Sequence, residues 1–270
     1  MVDINDPVLA KAADLCCLKG DIHNGQPTGN ITQIGGVDTY VATPHQKVAN
    51  GNVLLFFPDA FGLHINSNLM MDAYAACGYL TLGVDYFLGD AVTKYTTSPL
   101  NDPKFDMAAW SAKHLQHSEE VAREWVKNVK ANYGNDGKAK FGCVGYCWGA
   151  RIVLQQLSDD GICLAGAIAH PSFINESHVQ KSKGGVPQHT AGAPVAFSVP
   201  ATDKLFPNES RTRVIEICTE KQQRFNMQIF SHVGHGFASR TRLTDPYELW
   251  AKEQHFKGFI EWLDFWMAQA

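Results

Sequence analysis

The sequence predicts a single α/β domain in which a mainly parallel sheet is flanked by helices on both faces. Three observations predict it. Short apolar, β-prone runs alternate with helical stretches along the chain. A strand, a Gly-x-Cys-x-Gly pentapeptide and a helix follow one another over 141–157. Cysteine, aspartate and histidine then stand, in that order, just after three of the predicted strands. No linker or shift in composition divides the 270 residues, which suffice to bury a full core.

Residues 1–30, rich in Gly, Asn and Asp around CCLKGDIHNGQPTGN, predict an irregular arm lying over the body, and 31–270 the domain itself. Cys16, Cys17 and His23 in that arm match no common metal-site spacing and read as packed side chains. Ile31–Thr43 holds two β runs broken by Gly35-Gly36, a hairpin pattern. Val53–Phe57 (VLLFF) is a continuous apolar run, as in a strand buried on both faces. The Gly-containing loop Pro58–Leu63 leads to an amphipathic helix from about Ile65 to Cys77, stopped by Gly78. Tyr79–Phe87 is the next buried strand, with Asp85 at its end. A polar loop, Gly89–Pro103, precedes a helical region whose stronger half starts at Ser118, with Val121, Trp125 and Val129 on one stripe. Phe141–Val144 forms the strand before the pentapeptide, and Ala150–Leu157 the helix after it. Further strands are expected at Leu164–Ala169, Pro194–Val199 and Phe225–Phe230, with a loop over Lys181–Gly192. Helices are expected at Asn208–Gln223 and Pro246–Met267, the latter with Leu249, Phe256, Ile260, Leu263 and Met267 on one side.

Composition narrows the class of function. A net charge of −4 with no basic run argues against nucleic acid or an anionic membrane as partner. Seven cysteines without CxxC spacing read as reduced thiols in a cytosol, so neither a disulfide framework nor a metal site is expected, and no cofactor. The start, MVDINDPVLAKAADL, has no basic and apolar signal pattern, and no apolar run approaches about 18 residues. A cytoplasmic protein acting on a small molecule, as monomer or homodimer, is the expectation.

The pentapeptide Gly145-Tyr146-Cys147-Trp148-Gly149 carries the chemistry. Strand, Gly-x-Cys-x-Gly and helix reproduce the nucleophile elbow of α/β-hydrolases with cysteine in place of serine. A sharp strand-to-helix turn forces the central residue into a strained conformation, and the flanking glycines make room for it. Its side chain then stands above a helix N-terminus, where a thiolate is favoured. By itself the pentapeptide fits a buried cysteine in a turn equally well. Cys147, Asp203 and His235 together fit better, because open α/β sheets assemble their sites at strand C-terminal ends and the hydrolase order is nucleophile, acid, histidine. The imidazole takes the thiol proton and the carboxylate fixes the imidazole's tautomer. Two N–H groups, those of Trp148 and Ala60, would hold the oxyanion, each worth about 3–4 kcal/mol. His170 and His232 compete with His235, and Asp85 with Asp203. Cys77, Cys143, Cys163 and Cys218 sit in apolar stretches and read as core.

With these residues placed, the chain resembles the dienelactone hydrolase family, most closely its fungal members. The similarity runs from Cys17-Leu18-Lys19-Gly20 and Ile34-Gly35-Gly36 to Gly234-His235-Gly236-Phe237. Its most specific parts are the elbow, Asp59-Ala60-Phe61-Gly62 and Ala201-Thr202-Asp203. The resemblance implies a single-domain α/β-hydrolase fold and a Cys-Asp-His triad at Cys147, Asp203 and His235, acting on a strained unsaturated lactone through a thioester. Where the family has a glutamate that interacts with the resting thiol stands Asp59, which has two readings: it bonds loop N–H groups after the strand, or it faces Cys147 and Arg240 and gates the thiol. Of two arginines that hold the substrate carboxylate in bacterial members, one corresponds to Arg240, displaced by a residue in its loop; at the other stands Gly89. A bulky apolar or aromatic ester or lactone is therefore expected, flanked by Phe61, Tyr86, Trp148, Phe206 and Phe237. The competing class is a ligand-binding or non-hydrolytic relative on the same fold.

Overall fold

A computed structural model describes residues 5–14, 20–95, 105–183 and 193–269. Its centre is an eight-stranded sheet. The strands are β2 (Asn30–Ile34), β3 (Val37–Ala42), β4 (Val53–Phe57), β5 (Leu80–Val84), β6 (Phe141–Tyr146), β7 (Ala165–Ala169), β9 (Val195–Pro200) and β10 (Phe225–Phe230). Their order across the sheet is β10-β9-β7-β6-β4-β5-β3-β2. From β10 to β5 every pairing is parallel; β3 and β2 add antiparallel at one edge. Gly35 and Gly36, at φ 61° and 80°, make the tight turn between β2 and β3.

Residue alternation divides the core in two. Leu54 and Phe56 of β4, with Val144 and Tyr146 of β6, face the layer of α1 (Ile65–Ala76) and α7 (Pro246–Ala268). Val53, Leu55, Phe57 and Cys143 face the other layer, which holds α2 (Met107–Tyr133), α3 (Ala150–Gln156) and α5 (Asn208–Glu220). This is an α/β-hydrolase fold, and it places the loops after β4, β6, β7, β9 and β10 along one edge of the sheet.

α2 begins well before Ser118, capped by the Asp106 side chain, which accepts the Ala109 N–H at 2.9 Å. Its buried face there includes Ser111, His114 and Ser118, so an apolar stripe alone marks only the second half. The arm is not wholly irregular. Val8–Ala10 forms β1, antiparallel to the two-residue β8 (Ile174–Asn175). Beyond it, the Lys11 N–H donates to the Leu205 carbonyl at 2.8 Å, and the Phe173 N–H to the Lys11 carbonyl at 3.0 Å. Two short helices also escape the sequence pattern: α4 (Glu176–Lys181) and α6 (Phe237–Arg240). Cys16, Cys17 and parts of the loops predicted at 89–103 and 181–192 lie outside the described residues.

A steric requirement that bears on the site is at Gly149. Its φ of −69° is ordinary, but a Cβ there would run into the Phe57 carbonyl oxygen. Gly149→Ala should therefore cost about 1–3 kcal/mol. The expected reading in urea unfolding is a lower midpoint with an unchanged slope.

Candidate active site

Cys147 follows β6 and opens a one-turn 3-10 helix, Cys147–Gly149, that runs into α3. Its φ is 49°, in the left-handed region where a residue with a Cβ is strained. Gly145 permits the turn, because a Cβ there would lie 2.6 Å from both the Gly149 carbonyl oxygen and Val153. α2 braces the far side. The Ser118 hydroxyl accepts the Trp148 indole N–H at 3.0 Å and an Arg151 N–H at 2.9 Å. Arg151 also bonds the Leu115 carbonyl and pairs with Glu119 at 3.2 Å.

The loop after β7 supplies a neighbour that sequence reasoning did not identify. Ser172 Oγ lies 3.4 Å from Cys147 Sγ, and the Ser172 N–H donates to the Cys147 carbonyl at 3.1 Å. Its signal was its place two residues beyond His170 in a strand-end loop.

His235 stands in the loop after β10. Its Nδ1 donates to Asp203 Oδ2 at 2.8 Å, while Asp203 Oδ1 accepts the Leu205 N–H at 2.9 Å. Nε2 of His235 is buried, and Cys147 acts on this imidazole. Burial works against its charged form, but Cys147 and Asp203 outweigh burial and push the pKa up to about 10. Burial would raise Asp203, yet His235 holds its carboxyl below the usual value. Buried Arg211 fixes this loop by donating to the Phe206, Ala201 and Pro200 carbonyls at 2.9, 3.0 and 3.2 Å.

The competing residues separate cleanly. His232 is exposed, with its ring 6.5 Å from Tyr247. Asp85 caps its own turn, accepting the Phe87 and Gly89 N–H groups at 3.2 and 2.6 Å. His170 differs: it is fully buried, 4.9 Å from His235 ring to ring.

Asp59 and Arg240 form a buried ion pair, which Ser239 joins by donating to Asp59 Oδ2 at 2.9 Å. Asp59 Oδ1 accepts the Phe61 N–H at 2.9 Å, and the Arg240 guanidinium lies 4.4 Å over the Phe61 ring. So Asp59 has both the loop bond and the arginine partner that its position suggested. The Asp59 carbonyl accepts the Gly62 N–H at 2.9 Å, which fixes the peptide carrying the Ala60 N–H. Tyr86 is buried with its hydroxyl on the Pro58 carbonyl, and Phe206 is buried in the core. A cavity of about 440 Å³ opens on Asp203 and His235, with Lys204, Phe237, Arg240 and Arg242 in its wall. Of the aromatic residues expected around the substrate, Phe237 lines it, together with glycines and charged side chains.

Residues 37–266 match the dienelactone hydrolase family. The chain belongs to it. Dienlactone hydrolase 1 of Gibberella moniliformis is 84% identical over 269 residues, covering 100% of both chains. Dienlactone hydrolase 2 of the same organism is 59% identical over 262 residues, covering 97% of this chain and 98% of its own. A dienelactone hydrolase-like promiscuous phosphotriesterase from metagenomic libraries superposes with a TM-score of 0.62 at 14% identity, over 88% of this chain and 97% of that one. That structural likeness speaks for the fold. Membership at this identity makes the protein an enzyme, a hydrolase of the carboxylic-ester kind. Among the described residues no helix is long and apolar enough to cross a membrane.

The raised pKa of His235 has a consequence for stability. A group that binds its proton more tightly when folded stabilises the fold where that proton is bound. The stability gap between native protein and His235→Gln should be complete below pH 6.5, histidine's ordinary value, and close as pH rises through about 10. Urea midpoints across that range check it; a gap that widens with pH would contradict the assignment.

Proposed function

We propose that this protein hydrolyses an ester or lactone through a thioester on Cys147, with His235 as proton carrier and Asp203 as its orienting acid. The observation that carries this reading is the 2.8 Å Asp203–His235 hydrogen bond, in the same buried site as a cysteine held at φ 49° on a nucleophile elbow. The thiol proton passes to His235 Nε2 and the thiolate attacks the carbonyl carbon. The Ala60 and Trp148 N–H groups receive the oxyanion. Trp148 lies in the first turn of a helix, where N–H groups lack intrahelical acceptors. Collapse of the tetrahedral intermediate breaks the carbon–oxygen bond, and the imidazolium gives its proton to the departing oxygen. His235 then deprotonates a water molecule, which releases the acid and restores the thiol.

Two features bear on the substrate. Phe237 in the cavity wall supports an apolar or aromatic substrate, as the sequence suggests. Lys204 in the cavity wall favours a second reading, a substrate with a polar or anionic substituent, whereas Arg242 is engaged by Glu248 of the same wall. For Asp59 the proposal is a gate. With its charge engaged by Arg240 the thiol is free to ionise towards His235; with the pair open, the carboxylate opposes the thiolate.

An activated aryl ester, quenched during turnover and analysed by mass spectrometry, should leave an acyl group on the Cys147 peptide. Cys147→Ala and His235→Ala should lose at least about 10³-fold in kcat, and Asp203→Asn less than His235→Ala. Acylation of another cysteine, or full activity in Cys147→Ala, would overturn the reading. Asp59→Asn is expected to make Cys147 react with iodoacetamide at lower pH than in the native protein. Superimposable profiles would reduce Asp59 to a turn-capping residue.

A further inference from the structure

Both proposed oxyanion donors lean on one face of α2, and Asp90 joins them to it. Asp90 follows β5, in a loop that leads into a single 3-10 turn, Val92–Lys94. The residue is buried, yet its carboxylate is met from four sides. Oδ1 accepts Lys94 Nζ at 2.9 Å and the Tyr95 hydroxyl at 2.6 Å; Oδ2 accepts Lys113 Nζ at 2.6 Å and His114 Nε2 at 2.9 Å. Its carbonyl accepts the Trp110 indole N–H at 2.9 Å. Burial would raise its pKa, but Lys113, Tyr95, Lys94 and His114 hold the carboxyl far below the usual value. A charge buried and paired in this way gives little net stability, so its value lies in where it holds the chain.

The loop that Asp90 secures is the one that holds Ala60. The Val92 N–H donates to the Ala60 carbonyl at 3.1 Å, while the Gly62 N–H donates to the Asp59 carbonyl at 2.9 Å. The peptides on both sides of Ala60 are thereby fixed. Gly62, at φ 66°, lets the two loops close on each other: a Cβ there would lie 2.9 Å from the Ala91 side chain. Trp148, the other proposed donor, reaches the same helix. Ser118 holds its indole N–H, and its ring lies 5.1 Å from Trp110 and 5.4 Å from Phe87. Trp110, His114 and Ser118 recur every four residues, so they form one stripe of α2. The first two hold Asp90 and the third holds Trp148.

We propose that Asp90 is a positioning residue for the oxyanion hole. It fastens the loop after β5 to α2, and so sets the Ala60 N–H at a fixed distance from the Trp148 N–H. The proposal rests on the triad reading above and concerns the placing of its two donors, not the identity of the nucleophile. Such donors act because they are in place before charge develops on the substrate oxygen. A carboxylate with several charged partners suits the task, since its bonds are directional and strong where an apolar contact is neither.

The test separates the oxyanion hole from the nucleophile by comparing native protein with Asp90→Asn, which keeps the shape and loses the charge. kcat for p-nitrophenyl acetate should fall about 10- to 100-fold, with KM within about twofold. An aryl trifluoromethyl ketone reads the hole directly. The Cys147 sulfur bonds to its carbonyl carbon, the thiol proton passes to His235, and the carbonyl oxygen becomes an oxyanion whose titration fluorine-19 NMR follows. The pKa of that oxyanion should rise by about one unit or more in Asp90→Asn. Alkylation of Cys147 by iodoacetamide forms no oxyanion, so its rate at fixed pH should stay within about twofold of native. Unchanged kcat overturns the proposal, as does a loss of kcat without a shift in the oxyanion pKa. A parallel loss of alkylation also overturns it and makes Asp90 a support of the site as a whole. If native protein forms neither ketone adduct nor acyl group on Cys147, the triad reading falls and this proposal with it. Should Asp90→Asn not fold, Lys113→Met decides, because the Lys113 side chain is largely exposed. It should show the same pattern at about two- to fivefold in kcat, and an unchanged kcat there overturns the proposal.

Discussion

The turn at Cys147 constrains everything around it. An L-residue at φ 49° costs on the order of 1–3 kcal/mol and persists only where its surroundings over-determine it. Here they do so from three sides. Gly145 and Gly149 remove the side chains that would strike the turn and the Phe57 carbonyl. The Ser172 N–H takes the Cys147 carbonyl from the adjacent loop. Ser118 grips both Trp148 and Arg151 from α2, and the Arg151 guanidinium lies 5.2 Å from the Trp148 ring. Loosening any of these should let the backbone relax and shift the sulfur away from its place beside Ser172.

Charge around this turn is arranged in closed units. Asp203 with His235, and Asp59 with Arg240, are buried pairs, and neither would be tolerable unpaired. Desolvation makes each pair costly to bury, so their value lies in position more than in stability. The Asp59–Arg240 pair ties the loop after β4, which carries Ala60, to α6, which follows His235 by two residues. The proposed oxyanion donor and the proposed base are thereby linked by one buried ion pair, and displacement of one loop is felt by the other.

Much of this was legible in the sequence, for reasons that also explain what was not. Strands read correctly where they were buried on both faces, as in VLLFF of β4, because a continuous apolar run has few other uses. The contact between Asp203 and His235 was legible because strand ends and glycines mark both positions. The first half of α2 was not, because its inward residues His114 and Ser118 are polar: they face Asp90, Trp148 and Arg151, partners remote in sequence. Ser172 and Ser239 were invisible for the same reason. A lone serine in a loop or a one-turn helix carries no periodicity, and its meaning comes from what another segment brings to it. His170 was noticed as a rival to His235, whereas the structure places the two side by side.

The arm shows the same physics at the scale of the whole fold. Read from composition, residues 1–30 look like loose covering. The described part instead satisfies backbone groups that the site loops leave open. Lys11 gives its N–H to Leu205, beside Asp203, and its carbonyl to the N–H of Phe173, beside Ser172. Asp21 gives its N–H to the Arg240 carbonyl, and His23 gives its own to the Asn66 side chain of α1. Asn66 in turn donates to the carbonyls of Asp21 and Ser239. Three loops from different strands are thus fastened by one segment that contributes no residue to the proposed triad. Parallel strands set those loops side by side, and each loop runs from its own strand to its own helix, with Asp203–His235 among the few bonds that join them directly. A segment crossing all three is a direct way to close the buried polar groups at that edge, and Gly20 explains how it passes so near. At φ 107°, its backbone lies where any Cβ would collide with the Arg240 backbone.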